Sequence, residues 1–370
     1  MNLYHAGIDV GSTTVKVVIF NSTVKMIYGR YERHYTDIRK KLLEMLLDVQ
    51  NILGDARLTV MITGSGGMNI SKDLYVSFVQ EVAASAKAIR TYHPEADAAI
   101  ELGGEDAKIT YFKDGVEQRM NGTCAGGTGS FIDQMASLLK VDASELNELA
   151  KSYNTIYPIA ARCGVFAKTD IQPLLNEGAA REDIAVSVLQ AIVIQTISGL
   201  ACGRPIRGNV AFLGGPLYFL SELRKRFIDV LKLEDNQVIF PENSQLYVAI
   251  GAALSSIGCE NIISLDNLIY RLEKLENKAS AETNRLSPLF SSSDEYNEFK
   301  LRHEKSIVER RNWKDFSGKC FLGIDAGSTT TKAALIDNEG ALLYTYYDNN
   351  GGSPLKSTIK VLKDLYSVLP

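Results

Sequence analysis

The sequence has no marked excess of charge of either sign. Its 40 lysines and arginines nearly balance 44 aspartates and glutamates, giving a formal net charge of −4 over 370 residues. Proteins that bind nucleic acid usually carry a basic surface, and no basic stripe with interleaved aromatic residues is present in the sequence. The composition therefore gives no reason to expect a nucleic-acid partner. With 45% hydrophobic residues, a chain of this length is predicted to be globular, with two or more domains.

Cysteines and long apolar stretches are also scarce. The five cysteines are an odd number, and none lies close to another in sequence. No basic segment followed by an apolar core precedes the first strand-like pattern, so we expect no secretory signal. Free thiols in a reducing cytoplasm are therefore expected, rather than a disulfide framework. The most apolar stretch, residues 184–202, contains two glutamines and follows three charged residues. This favours a buried core helix over a membrane span, and we expect no membrane partner.

A dense repeat links the two ends of the chain. The stretch HAGIDVGSTTVK at residues 5–16 recurs as CFLGIDAGSTTTK at residues 320–332, and an offset of 316 residues aligns eight identical positions. We interpret this as a tandem organisation in which the second copy is incomplete. The predicted parts are a complete unit at 1–262 with subdomains at about 1–94 and 95–262, a charged linker or helical segment at 263–319, and the start of a second, incomplete repeat at 320–370.

The first copy of the motif has the chemistry of a phosphate site. An apolar run, the turn GSTT and a β-branched run predict a strand, a tight turn and a second strand. Such a turn presents backbone N–H groups and hydroxyls to one point, which suits an anion. Asp9, just before the turn, can hold Mg²⁺ through water. One such motif alone is explained equally well by an ordinary polar hairpin. The candidate phosphate-binding residues are Gly11, Ser12, Thr13, Thr14 and Lys16.

Two further apolar strands end in paired glycines. Residues 101–108 have the sequence ELGGEDAK, and residues 212–217 have the sequence FLGGPL. The first turn can contact a second phosphate, and its acidic residues can position Mg²⁺ or the attacking water. The bare backbone of the second turn can lie against adenine or ribose. The candidates at these two turns are Glu101, Gly103, Gly104, Asp106, Gly214 and Gly215, and Glu242, Asn243 and Gln245 are candidates for the pocket of the base.

In this order and spacing, the three turns resemble the phosphate-1, phosphate-2 and adenosine segments of the actin, sugar kinase and Hsp70 ATPase superfamily. The resemblance covers about residues 3–257. It implies an α/β, actin-like (ribonuclease H-like) two-domain ATPase fold. ATP and Mg²⁺ would then bind at the base of a cleft between two domains built on the same βββαβα theme.

Two cysteine motifs narrow the resemblance to one branch. The stretches NGTCAGGTGSFIDQMA (121–136) and ARCGVFAKTDIQ (161–172) are similar to the cysteine motifs of the activators of 2-hydroxyacyl-CoA dehydratases, a group that includes the ATP-binding subunits of benzoyl-CoA reductase. The resemblance implies that Cys124 and Cys163 ligate a [4Fe-4S] cluster shared across a homodimer. It also implies ATP-driven electron transfer from a ferredoxin or flavodoxin to an acyl-CoA dehydratase or reductase partner.

The residues around the two cysteines fit this chemistry. Cys124 precedes AGGTG and an amphipathic run, and a helix N-terminus at that place would stabilise anionic sulfur. A cluster needs four thiolates. The second pair can come from a symmetry-related copy or, in a longer tandem protein, from another repeat. We expect Cys202, Cys259 and Cys320 to be packing residues.

Two other functions remain open at this point. A sugar or small-molecule kinase of the same superfamily would need a base in the cleft, for which Asp106 or Glu105 can be nominated. A nucleotide switch without enzymatic activity is the third class. In either case Cys124 and Cys163 would be buried structural residues.

Overall fold

The computed structural model describes residues 3–113, 115–121, 126–160, 164–275 and 286–368. The chain divides into two compact units. The first comprises Met1–Ile171 and Ala180–Leu275, and the second comprises Gln172–Ala179 and Glu276–Pro370. The first unit therefore continues beyond residue 262, the limit that the sequence predicted.

Two sheets in the first unit repeat one strand order. Their strands are β1 (Leu3–Val10), β2 (Thr14–Phe20), β3 (Met26–Arg33), β4 (Arg57–Thr63), β5 (Ser77–Phe78), β6 (Ala98–Leu102), β7 (Ala107–Tyr111), β8 (Glu117–Met120), β9 (Val210–Leu213), β10 (Val238–Ile239) and β11 (Ile262–Ser264). The first sheet has the order β3-β2-β1-β4-β5, with β11 also paired to β4, and the second has the order β8-β7-β6-β9-β10. In each sheet, three antiparallel strands are followed by strands parallel to the first one. This repetition agrees with the predicted βββαβα theme.

Helices cover both sheets. Those that lie wholly or mainly in the first unit are α1 (Ile38–Leu53), α2 (Gly67–Leu74), α3 (Glu81–Tyr92), α4 (Gly129–Leu138), α5 (Ala143–Leu149), α6 (Gly164–Glu177), α7 (Arg181–Thr196), α8 (Gly215–Phe219), α9 (Ser221–Leu231), α10 (Tyr247–Ser256) and α11 (Leu265–Lys274). The last residues of α6 are grouped with the second unit.

Helix α1 shows how the local sequence sets these elements. The Asp37 side chain caps its first turn by accepting a hydrogen bond from the backbone N–H of Lys40 at 3.0 Å. Leu42, Met45 and Val49 recur at helical spacing and are fully buried. They pack with one face of β1 and β2 and with α11. The other face of the same strands packs against α3 and α10, so β1 is buried on both faces.

Helix α10 returns from the second sheet to the first and packs there almost backbone to backbone. A Cβ added to Gly251 would lie 1.7 Å from the carbonyl oxygen of Ala84 in α3, and one added to Gly7 would lie 2.0 Å from that of Ala249. The glycines therefore set the distance between α10, α3 and β1. The predicted second subdomain, 95–262, thus contains a helix that packs on the first sheet.

The most apolar helical stretch belongs to the core of the protein. Residues Arg181–Ala201, which comprise α7 and a following π-helical turn, are long and apolar enough to cross a membrane. However, 67% of its most apolar window is buried within the fold, as expected for a core helix. The burial agrees with the sequence-based preference for a core helix.

The second unit contains a three-stranded sheet and two described helices of its own. They are β12 (Cys320–Ala326), β13 (Thr330–Asp337), β14 (Leu342–Asn349), α12 (Ser293–Glu304) and α13 (Pro354–Val368). With the same offset of 316 residues, β12, β13, β14 and α13 match β1, β2, β3 and α1 at their ends to within a few residues. The repeat therefore extends from the short sequence motif to an entire βββα segment.

Two predictions about cysteine packing were wrong. Cys202 is exposed, because the chain turns out of the preceding π-helical turn there with a left-handed φ of 46°. Cys320 is also exposed, since the whole of β12 is exposed. Cys259 is partly buried. Being next to an apolar segment does not bury a cysteine unless another element covers that position.

The close approach of α10 to α3 predicts a strong effect of one added methyl group. Gly251→Ala should lower the free energy of unfolding by about 1–3 kcal/mol, because the backbones must move apart. Gly199→Ala is the matched control, since a Cβ at Gly199 meets no atom within 4 Å. Urea denaturation would measure both variants, and equal stabilities would contradict the packing described here.

Candidate nucleotide-binding site

The first glycine turn places an acid and a lysine face to face. Asp9 and Lys16 are directly opposite each other in the antiparallel pair β1–β2. The Lys16 ammonium donates to Asp9 Oδ2 at 2.8 Å, and the Gly11 N–H closes the turn by donating to the Thr14 carbonyl at 2.9 Å. Burial would lower the pKa of Lys16, but the Asp9 carboxylate, together with Tyr31 and Glu101, raises it above its usual value. Lys16 is therefore a fixed cation at the floor of the site.

The second glycine turn has the same construction. Glu101 and Lys108 face each other in β6–β7, and the Gly103 N–H donates to the Asp106 carbonyl at 2.7 Å. Sequence reasoning missed Lys108, although a signal was present. The spacing acid-x-Gly-x₄-Lys is the same in residues 9–16 and 101–108.

Lys108 is the centre of a buried charge cluster. Its ammonium donates to Glu81 in the first turn of α3 and, at 3.4 Å, to Glu101. Burial would lower the pKa of Lys108, but the Glu101 and Glu81 carboxylates raise it well above its usual value. Glu101 also accepts a hydrogen bond from the Ser85 hydroxyl at 3.1 Å. The charge of Glu101 is thus already compensated within the protein.

The third glycine turn brings α8 close to both sheets. Gly214 has a φ of +89°, and a Cβ there would lie 2.1 Å from the Leu102 carbonyl oxygen. A Cβ on Gly215 would lie 2.3 Å from the Tyr31 hydroxyl of β3. Residues other than glycine would therefore push the third turn away from the other two.

The three turns line one cavity. It encloses about 560 Å³ of space, including its open mouth. The structure brings the predicted residues of all three glycine turns to this cavity, together with one of the three candidates for the base pocket, whereas their individual roles stay predictions. The lining residues predicted from sequence are Asp9, Gly11, Ser12, Thr13, Thr14, Lys16, Glu101, Gly103, Gly104, Asp106, Gly214, Gly215 and Gln245.

Two side chains in the wall each contain a buried polar atom that has no hydrogen-bond partner among the described residues. The buried Ser244 Oγ and Gln245 Oε1 make no hydrogen bond with the residues that the structure describes. Such unpaired buried atoms are costly, and a ribose or a base offers them partners. Gln245 was a candidate from sequence, but Ser244 was missed. The other two candidates for the base pocket, Glu242 and Asn243, do not line the described cavity.

The predicted cluster ligands, Cys124 and Cys163, lie outside the described residues. The segments next to them are close in space. Helix α4 begins at Gly129, five residues after Cys124, and α6 begins at Gly164, directly after Cys163. A Cβ on Gly164 would lie 3.4 Å from the ring of Phe131 in the first turn of α4. Two helix N-termini therefore follow the cysteines, and they pack together.

Comparison with known proteins identifies the family. Residues 6–256 match the model of the BadF/BadG/BcrA/BcrD ATPase family. The chain belongs to this family. It is 30% identical over 258 residues to the 2-hydroxyisocaproyl-CoA dehydratase activator of Clostridioides difficile, covering 68% of this chain and 94% of that protein. It is 31% identical over 262 residues to the activator of lactoyl-CoA dehydratase of Anaerotignum propionicum, covering 68% and 96%.

A solved structure supports the same assignment. The activator of the 2-hydroxyisocaproyl-CoA dehydratase from Clostridium difficile with bound ADPNP superposes with a TM-score of 0.62 at 27% identity, covering 74% of this chain and 98% of that one. The predicted family and the actin-like α/β fold are thereby confirmed. These matches support ATP binding by the chain and favour an activator over a kinase.

The charge cluster predicts a large stability effect in this family member. Lys108→Met should lower the free energy of unfolding by about 3 kcal/mol or more, because Glu81 and Glu101 lose their counter-charge. Lys151→Met is the matched control. Its partner Glu148 is exposed, so the change should stay within about 0.5 kcal/mol. Denaturant unfolding without nucleotide would measure both, and an equal loss in the two variants would contradict the role of Lys108.

Proposed function

We propose that this protein is an ATP-dependent activator that transfers low-potential electrons to a 2-hydroxyacyl-CoA dehydratase or a benzoyl-CoA reductase-type partner. The transfer would pass through a [4Fe-4S] cluster shared by two copies of the chain. The observation that carries the proposal is that the helix following Cys124 in sequence begins at the nucleotide cavity and packs against the helix following Cys163. Helix α4, which follows Cys124, begins beside Gly103 and Gly104, and α6, which follows Cys163, packs on α4.

The cavity supplies the groups that ATP hydrolysis needs. Water attacks the γ-phosphorus, the bond to the β–γ bridging oxygen breaks, and ADP and phosphate leave. Lys16 neutralises phosphate charge. The Lys16 ammonium donates a hydrogen bond to Asp9 Oδ2. Asp9 Oδ1 has no hydrogen bond to a described residue and can therefore hold a water of Mg²⁺.

The acids of the second turn take different roles. The Asp106 carboxylate makes no hydrogen bond or ion pair with the described residues and lines the cavity. It is therefore free to orient the attacking water. Glu101 is held by Lys108 and Ser85, which suits a residue that fixes the shape of the turn. We assign Asp106 to the water, Asp9 to the metal and Glu101 to the support of the turn.

The two cysteines would hold the cluster together with the same two residues of a second copy. A [4Fe-4S] cluster needs four thiolates and, when bound, supplies a one-electron carrier of low potential. The N–H groups at the starts of α4 and α6 carry partial positive charge that stabilises anionic sulfur. Among the described residues, no group of three or more His, Cys, Asp or Glu side chains is suited to a metal.

ATP is needed in this proposal because the electron transfer is uphill. For one electron, about 59 mV corresponds to a tenfold change in the equilibrium constant. A nucleotide can shift that equilibrium only by binding two conformations with different affinity. The proposed electron donor is a ferredoxin or flavodoxin, and the proposed location is the cytoplasm, where thiols stay reduced.

The cysteine assignment has a direct test in anaerobically purified protein. Cys124→Ser and Cys163→Ser should each remove iron, sulfide and the broad visible absorption. Binding of ADPNP should change by less than about twofold, because the proposed phosphate and metal contacts come from other residues. The exposed Cys202 gives the control Cys202→Ser, which should keep its iron. Colourless wild-type protein that hydrolyses ATP would indicate an ATPase or kinase without a cluster.

The role of Asp106 is tested separately from the cluster. Asp106→Asn should lower kcat for ATP hydrolysis by about 100-fold or more, because a charged group that orients water is lost. Its iron content should not change. Glu105→Gln alters the exposed neighbour in the same turn and should keep the wild-type rate. Equal kcat values for both variants and the wild type would refute the assignment.

A further inference from the structure

Helix α4 is bonded directly to the second phosphate turn. The Gly129 N–H donates to the Gly103 carbonyl at 3.0 Å, and the Ser130 N–H donates to the Gly104 carbonyl at 2.7 Å. The first N–H groups of a helix have no partner within the helix. Here two of them are committed to the turn itself, so α4 must follow any displacement of Gly103 and Gly104.

The same helix is also tied to the first phosphate turn, from the other sheet. Arg33, the last residue of β3, makes a two-pronged ion pair with Asp133 of α4. Its two guanidinium nitrogens lie 2.8 Å and 3.3 Å from the carboxylate oxygens. A bidentate pair of this kind fixes both distance and orientation.

The residue after Arg33 anchors this corner of β3 to the first turn. The His34 backbone N–H donates to the Thr13 carbonyl at 3.2 Å. The Thr36 N–H donates to His34 Nδ1 at 3.0 Å, so Nε2 carries the proton and donates to the Gly11 carbonyl at 3.2 Å. Arg33 is therefore positioned by the turn that is expected to bind phosphate.

The two turns meet at their tips. A Cβ on Gly104 would lie 2.0 Å from Thr13 Oγ1. A nucleotide phosphate between the turns must change this contact. Helix α4 is bonded directly to the second turn, and it is linked to the first turn through the Arg33–Asp133 pair and the end of β3.

We propose that Arg33 and Asp133 are positioning residues that couple nucleotide occupancy to the position of α4, and thereby to the cysteine segment that precedes it. The coupling itself requires only nucleotide binding. It rests on the proposed function solely for the cluster that the segment would carry. When phosphate separates the turns, the ion pair either pulls α4 with β3 or breaks, and in both cases the N-terminal turn of α4 changes its environment.

The exposed Arg33–Asp133 pair is expected to affect the position of α4 more than the stability of the fold. The Arg33 side chain is 49% exposed and the Asp133 side chain 39% exposed, and exposed pairs stabilise folding by about 0–1 kcal/mol. Variants at these positions should therefore fold. Neither residue lines the nucleotide cavity itself, but both line an adjoining cavity that shares Thr13, Thr14 and Gly104 with it. The variants are therefore compared at saturating ADPNP, so that a change in nucleotide affinity does not affect the result.

The test is amide hydrogen exchange of the peptide that spans residues 129–138, with and without ADPNP, on the full chain as purified anaerobically. In wild-type protein ADPNP should change its exchange rate. In Arg33→Gln and in Asp133→Asn this change should shrink by about fivefold or more, the lower end of a typical coupling. The swapped pair Arg33→Asp/Asp133→Arg should recover most of it, which a purely structural role at either position would not produce.

Arg30→Gln is the matched control. Arg30 lies on the same strand and pairs with Asp48 of α1 and with Glu32, not with α4. It should keep the full response. The inference is overturned if wild-type α4 does not respond to ADPNP, if both single variants respond like wild type, or if Arg30→Gln loses the response equally. Because amide exchange needs no iron, a chain that shows the coupling but lacks a cluster would refute the proposed electron transfer and leave this inference standing.

Discussion

An ion pair across a glycine turn underlies the nucleotide cavity. Antiparallel register places Asp9 opposite Lys16 and Glu101 opposite Lys108. A charge buried without a partner costs several kcal/mol, so neither turn could keep its charged residues buried if one member were missing. The paired arrangement lets the floor of the cavity remain charged and rigid. The glycine that follows each acid then brings backbone N–H groups close to where phosphates would lie.

The features predicted well from sequence are those set by neighbouring residues. The glycine turns and the α1 helix depend on local turn chemistry, capping and periodicity, and the structure contains them. Lys108 was missed because its pairing with Glu101 becomes evident only from the register of β6 and β7. The compensation of Glu101 depends on Lys108 of the neighbouring strand and on Ser85 of helix α3. The first unit extends to Leu275 rather than to 262, because β11 pairs with β4 more than 200 residues before it. Cys124 and Cys163 stay predictions, since they lie outside the described residues.

Helix α4 follows Cys124 in sequence and is bonded to elements of both sheets. Its sequence position follows Cys124, its first N–H groups bind the second turn, and its Asp133 binds β3. The family match and the ADPNP-bound relative support a nucleotide in the cavity. A single short helix is therefore bonded to the second glycine turn and to β3 of the first sheet, within two turns of its N-terminus. Because these contacts lie close together, α4 can follow small displacements of the turns without rearrangement of the core.

The βββα segment of the second unit shows which features of the motif depend on its own residues and which depend on the elements around it. Asp325 and Lys332 form the same ion pair, at 2.7 Å, and Gly327 closes the same turn onto Thr330. However, their side chains are 65% and 41% exposed, against 5% and 15% for Asp9 and Lys16. The geometry thus forms without the elements that bury it in the first unit, whereas water weakens the attraction between the charges. The same turn is therefore present at two levels of exposure among the described residues, and burial by the surrounding elements decides how strongly its two charges attract each other.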